Sequence, residues 1–181
     1  MNPESLLSNG CVVRVAIASA LALGGATAYA QTSPQSSSMA VTADVANACS
    51  ILASAMAFGT YDAVARTAKD GTGSITLTCT FGASARIKIN EGAQPFTGSA
   101  PATPLRQMAF GTLRLRYNLY SDLARTVVWA GGPGVGAAST DGVVTTGTGE
   151  AVIIPVYGQI EAAQFAPAGA YVDTVVATVT F

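Results

Sequence analysis

The chain alternates between apolar and polar positions over most of its length. In SITLTCTF, residues 74–81, the residues Ile75, Leu77, Cys79 and Phe81 fall two apart, with Ser74, Thr76, Thr78 and Thr80 between them. A period of two places the first set on one face of a β-strand and the second set on the other. ARIKINEG (85–92) continues the pattern, with Ile87 and Ile89 inward and Arg86, Lys88 and Asn90 outward. The short GAS between these two runs suits a hairpin. TLRLRYNLY (112–120) sets Leu113, Leu115, Tyr117 and Leu119 against Arg114, Arg116 and Asn118. TVVWA (126–130) is a further short strand. EAVIIPVYGQI (150–160) is a denser apolar run, as expected where both faces are covered. Its Pro155 points to an edge or a bulge. The run 169–181, GAYVDTVVATVTF, alternates Val175, Ala177, Val179 and Phe181 with Thr174, Thr178 and Thr180. Segments 91–104 and 131–142, rich in Gly, Pro, Ala and Ser, read as long loops. Strands with one apolar face each must cover one another, so the pattern predicts an all-β sandwich of two antiparallel sheets.

The N-terminal part divides in two. Residues 15–26 are an apolar run of about a dozen residues behind Arg14, the length of a signal-peptide core and short for a membrane span. AYA (28–30) is a small-x-small cleavage site, so residues 1–30 read as a secretory signal and the mature chain as starting at Gln31. The other reading is an uncleaved anchor. Cys11 does not follow an apolar stretch, as a lipoprotein cysteine would, and cleavage removes it. QTSPQSSS (31–38) is a flexible polar linker by composition. After it Met39, Val41, Ala43 and Val45 again stand two apart, ahead of the first mature cysteine. A strand so near a chain end poses the question of its partner, because chain ends are usually loose.

Charge is sparse and balanced: 9 Lys and Arg against 10 Asp and Glu, a net −1. No basic stripe is present to neutralise nucleic-acid phosphates. Cys49 and Cys79 survive processing, and an even pair in an exported chain reads as a disulfide, with two buried thiols as the alternative. Such a bridge closes a loop of about 30 residues, for which the chain-entropy relation gives roughly 3.7 kcal/mol. With no histidine, neither a Ser-His-Asp triad nor a Cys-His pair can form, and two cysteines alone do not make a zinc site. The glycines of 131–149 lack the Gly-Lys-Ser/Thr of a phosphate loop. Asp62, Asp70, Asp122 and Asp173 are scattered and read as solvated groups rather than a glycosidase pair. Trp129, beside two glycines, has two readings, a core residue or a platform for a sugar. The chain is thus expected to be no enzyme and to need no cofactor or metal.

Several blocks together resemble a known family. ACSILASAMAFGTYDA (48–63) is similar to the opening of the spore coat U domain, with a cysteine, an apolar stretch and then FG-x-YD. GSITLTCTFGASARIKINEG (73–92) is similar to its second-cysteine strand. LRYNLYSD, VYGQI and the closing GAYVDTVVATVTF follow in the family's order, so the resemblance covers 48–181. The family includes subunits of the archaic, Csu-type chaperone–usher pili. The resemblance implies an incomplete immunoglobulin-like sandwich whose missing strand is supplied by a periplasmic chaperone and then by the next subunit, with an outer-membrane usher catalysing the exchange. It implies a cysteine bridge between the first two strands. It makes 31–47 an N-terminal extension with Met39, Val41, Ala43 and Val45 as donor-strand residues, and 48–181 the pilin domain. The acceptor groove is expected beside Val175, Ala177, Val179 and Phe181, with Ile51 on its other wall. Strand addition has a physical basis, since main-chain hydrogen bonds supply affinity and alternate side chains fill pockets. The alternative, that 39–45 is the first strand of its own sandwich, stays open on sequence alone. With no second domain ahead of the fold, a shaft or adaptor subunit is expected over a two-domain tip adhesin. The implied biology is a surface fibre supporting adhesion and biofilm formation. The competing readings are a secreted spore or cell coat protein, and a carbohydrate- or surface-binding module using Trp129 and the loop 101–104.

Overall fold

The computed structural model describes residues 34–131 and 142–181. The expected signal peptide, its cleavage site and most of the glycine-rich loop 131–142 lie outside the described residues. Residues 34–42 form a unit apart from Ala43–Phe181. All of 34–48 is exposed and carries no strand.

Eight strands follow: β1 (Cys49–Ala53), β2 (Lys69–Cys79), β3 (Ser84–Ile89), β4 (Arg106–Phe110), β5 (Leu113–Tyr120), β6 (Val143–Thr146), β7 (Ala151–Ile160) and β8 (Ala177–Thr180). They form two antiparallel sheets, one in the order β1-β2-β7-β5-β4 and the other β6-β3-β8. The alternation read from the sequence sets the inner faces. Ile75 and Leu77 of β2, Leu115, Tyr117 and Leu119 of β5, Val156 and Ile160 of β7, and Ala85, Ile87 and Ile89 of β3 are buried together. Burial of this kind is the main favourable term in folding, about 25 cal/mol per Å² of apolar surface.

Four local expectations change. The GAS segment makes no hairpin, because β2 and β3 belong to different sheets. The chain turns across the sandwich there, with Ala83 N donating to Thr80 O at 3.0 Å and Gly82 at φ 80°, so that both strands present their apolar faces to one core. Phe81 falls in that turn and is 81% exposed rather than continuing the face of Leu77 and Cys79. TVVWA reduces to a single bridge, Val128 to Tyr120. Pro155 stands in β7, between β2 and β5, yet β5 pairs with β7 only over Tyr117–Tyr120 opposite Ile160–Tyr157. Pro155 therefore sits where β7 has no neighbour on that side, and its missing N–H is tolerated as on an edge. The outer face of β7 is also open: Ile153 is exposed.

Candidate functional site

The two long sides of the sandwich are built differently. On one side Trp129 and Arg106 fill the space between the sheets, each 1% exposed. Trp129 Nε1 donates to Ile87 O at 3.0 Å. The guanidinium of Arg106 donates from Nε to Asn90 O at 2.8 Å, and from Nη2 to Ile89 O at 3.0 Å and Trp129 O at 2.7 Å. Burial lowers the pKa of Arg106 to about 10, with Tyr117, Asp173 and Glu91 acting in the opposite direction, so the group is still charged at neutral pH. Trp129 is accordingly a core residue, not an exposed sugar platform.

On the other side lie β1 and β8, the terminal strands of their sheets, near each other. Cys49 stands opposite Cys79 in the β1–β2 ladder and is bonded to it, with Cα atoms 4.1 Å apart. The bridge ties the free-edge strand β1 to the core strand β2. Past Ala53 the chain leaves the edge and crosses the inner face of the larger sheet. Met56 and Phe58 lie there over Gly71 and Gly158, which face each other across the β2–β7 ladder. A Cβ on Gly158 would strike the sulfur of Met56 and the ring of Phe58, and one on Gly71 would meet the ring of Phe58 at 2.8 Å. The two glycines make the hollow that receives these side chains. Phe58 reaches Tyr117 edge-on, ring centroids 6.0 Å apart.

A cavity of about 440 Å³ opens between this crossing segment and the stretch before and into β8. Ala53, Met56 and Phe58 line one wall, and Tyr171, Val175 and Ala177 the other. Ile75, Ile89, Met108 and Leu119 of the core also reach it. One polar cluster enters it. Tyr117 donates its hydroxyl to Asp173 Oδ2 at 2.6 Å, and Asp173 Oδ1 accepts from Ala93 N at 2.9 Å and Thr174 N at 2.8 Å. Burial first, and then the hydrogen bond to the Asp173 carboxylate, pushes the Tyr117 phenol well above its usual pKa. Asn90 Oδ1 accepts from Val176 N at 2.8 Å, so two side chains fix the approach to β8.

The residues singled out from sequence are distributed as follows. Ile51, Val175, Ala177 and Val179 are half-buried against the core on the β1 and β8 sides. Phe181 is 56% exposed at the end of the chain. Met39, Val41, Ala43 and Val45 are all exposed, Val41 at 86%. Met56, Phe58, Tyr171 and Asp173 were not anticipated as groove residues. The signal for the first two was present: glycines on the inward register of β2 and β7 mark a place where a side chain from elsewhere must fit. The other carboxylates stay apart. Asp70 pairs with Arg125 at 3.2 Å, and Asp62 and Asp122 accept hydrogen bonds from their own turns. Among the described residues no group of His, Cys, Asp or Glu is arranged to hold a metal.

The topology defines the class. β1, β2, β7 and β5 stand in the order A-B-E-D of an immunoglobulin-like sandwich, and β3 and β8 stand as C and F. The position beside β8 that strand G would take holds no strand among the described residues. The chain belongs to the Spore Coat Protein U domain family, whose description matches residues 35–178. It is 37% identical over 182 residues to Protein U of Myxococcus xanthus, covering 93% of this chain and 98% of that protein. Among solved structures it is similar to a chain of the CsuC–CsuE chaperone–tip adhesion subunit pre-assembly complex from the archaic chaperone-usher Csu pili of Acinetobacter baumannii. The identity there is 21% and the TM-score 0.46, over 76% of this chain and 40% of that one.

Proposed function

We propose that the protein is a structural subunit that polymerises by donor-strand complementation, residues Met39, Val41, Ala43 and Val45 of one copy entering the groove of the next. One observation carries the reading. A groove with apolar walls runs beside the free edge of β8, while an exposed segment of the same chain alternates apolar and polar residues with no strand partner among the described residues. An unpaired edge templates another strand, and ten extended residues cover about 33 Å, a full strand's length. Ile51, Val175, Ala177 and Val179 form the acceptor walls in this reading, joined by Met56, Phe58 and Tyr171, and Phe181 extends them at the chain end. A periplasmic chaperone holds the groove before assembly, and an outer-membrane usher catalyses the exchange. The product is a fibre at the cell surface serving adhesion and biofilm formation.

Removal of residues 31–46 tests it. The shortened chain, made with its chaperone, is expected to stay folded and bound but to form no fibres. A peptide of residues 38–47 should then raise its melting temperature, since a ligand at 100 times its Kd adds about 2.7 kcal/mol. In the full chain Val41→Lys should abolish fibres, because a buried unpaired charge costs several kcal/mol. Thr42→Lys, on the opposite face, should assemble normally. Unfolding of the shortened chain with chaperone present would return the segment to its own sandwich. The family's name favours a second destination for the same polymer, a coat around a spore or cell. Electron microscopy of cells with and without the gene separates thin fibres from an envelope layer.

A further inference from the structure

Among the described residues of the sandwich, three large hydrophobic side chains outside the segment 39–45 are more than four-fifths exposed: Phe165 at 88%, Phe81 at 81% and Val64 at 81%. They stand at its two opposite ends. Phe81 lies in the turn between β2 and β3, just past Cys79. Val64 precedes β2 and Phe165 follows β7, at the end where Lys69 stands opposite Ile160. β2 has 11 residues, so the two ends are about 34 Å apart.

A scattered apolar side chain on a surface needs no partner. These three are different, because main-chain and side-chain bonds hold their loops in place. The Phe81 turn is braced by Gly82 N to Gly147 O at 2.9 Å and Gly147 N to Ala83 O at 2.7 Å. The N-terminal extension leaves the sandwich right beside it: Ala48 N donates to Thr80 Oγ1 at 3.0 Å, and Thr80 N to Ala48 O at 2.9 Å. At the far end Tyr61 joins the two loops. Its hydroxyl donates to Glu161 O at 3.0 Å and accepts from Gln164 N at 3.0 Å. Both loops lead into walls of the β8 groove, the first back to Phe58 and the second on to Tyr171, whose hydroxyl donates to Pro167 O at 2.9 Å.

We propose that Phe81 of one copy packs against Val64 and Phe165 of the copy that receives its donor strand. The inference rests on the donor-strand reading and adds a second contact between the same two copies. Chain length forces the bodies together. Only Ala46, Asn47 and Ala48 separate Val45 from Cys49, a span of at most about 14 Å. The accepting copy is therefore held against the exit, where Phe81 stands. A polymer that grows without closing joins unlike ends, so the end bearing Phe81 meets the end bearing Val64 and Phe165. Three such side chains bury on the order of 400 Å², well short of the roughly 1,200 Å² of a stable interface. The contact does not join free subunits. It forms once the donor strand tethers them at high effective concentration.

Photo-cross-linking tests it. Fibres sheared from cells, with p-benzoylphenylalanine in place of Phe81, are irradiated and the linked peptides read by mass spectrometry. Products joining position 81 to residues 61–69 or 161–167 are expected, and at about 34 Å within one copy they can only come from two. Cross-links made only to the chaperone, or only between two Phe81 turns, overturn the proposal. Phe81→Ser and Phe165→Ser should each still give fibres, because both side chains are exposed in the subunit. Urea should dissolve those fibres about tenfold faster than wild type. The double variant should match the single ones, since all remove one contact. Wild-type dissolution rates in both single variants overturn the contact. In the chain lacking residues 31–46, Phe81→Ser should leave unchanged the melting shift given by the 38–47 peptide, and a reduced shift would place its effect in its own groove and overturn the contact. Wild-type fibres without the cross-link sink the contact alone. Failure of the wild-type chain to form fibres sinks the donor-strand reading with it.

Discussion

The two long sides of this sandwich solve the same problem in opposite ways. On the Trp129 side the gap between sheets is closed by the chain itself. Arg106 satisfies three main-chain carbonyls, those of Ile89, Asn90 and Trp129, and Trp129 satisfies a fourth, that of Ile87. On the β1–β8 side the walls are apolar and half-buried, and the cavity between them is left open. A gap filled with charge-assisted hydrogen bonds has one low-energy arrangement and excludes other chains. A gap lined by half-exposed valines and alanines has no partner of its own and gains by accepting one. Buried hydrogen bonding is thus concentrated on one side and open apolar surface on the other.

The largest effect is expected where the closed side is opened. Arg106→Ala leaves those carbonyls without their donor in a buried site, and should cost about 3–5 kcal/mol in urea unfolding. Arg106→Lys should recover only part of this, because an ammonium lacks the planar fork that reaches several acceptors at fixed angles. On the open side Val175→Ala removes half-exposed methyl groups and should cost only about 1 kcal/mol. Equal losses at the two positions would mean that the sides do not differ as the structure indicates.

The disulfide is next in size. It anchors β1, whose other edge has no strand partner among the described residues. Cys49→Ser together with Cys79→Ser should lower stability by about 2–4 kcal/mol. Hydrogen exchange should show the loss concentrated in β1 rather than spread through β4 and β5. Uniform loss would mean that the bridge acts only through the unfolded chain.

The alternation of β2, β3 and β5 was legible from sequence because each of those strands has one face wholly in the core, and period two leaves no other reading. The sandwich followed from it. The family resemblance added the expectation of a groove at Ile51, Val175, Ala177, Val179 and Phe181, of which Val175 and Ala177 line the cavity. What could not be read was set by contacts distant in sequence. The GAS turn resembles a hairpin locally, and only the pairing of β3 with β6 and β8 shows that the chain changes sheets. Nothing in the sequence singles out Arg106, since the carbonyls that hold it come from residues about 16 to 23 positions away, whose approach no local pattern encodes. Met56 and Phe58 were missed, although the glycines at 71 and 158, both on the inward register of their strands, mark the hollow that these side chains fill.

The smallest effect separates the polar floor of the open groove from its apolar walls. Tyr117 hydrogen-bonds Asp173, and this contact joins β5 to the segment leading into β8. Tyr117→Phe removes the hydroxyl, while Asp173 keeps the amides of Ala93 and Thr174, so the cost at neutral pH should be about 1 kcal/mol. Its pH dependence is more informative. Burial and the bond to Asp173 raise the folded pKa of Tyr117 above the ordinary phenol value of about 10, so its contribution is complete below pH 10 and is lost as pH rises further, where the unfolded chain releases the proton first. Tyr117→Phe lacks this loss, so the variant should lose less stability than the wild type as pH rises from about 10 to 11, and the gap between them should narrow. A constant gap across that range would mean that the phenol is not held neutral by its burial beside Asp173. The floor of the groove would then be wetter than its walls, and a donor strand would meet water there rather than a dry, preformed surface.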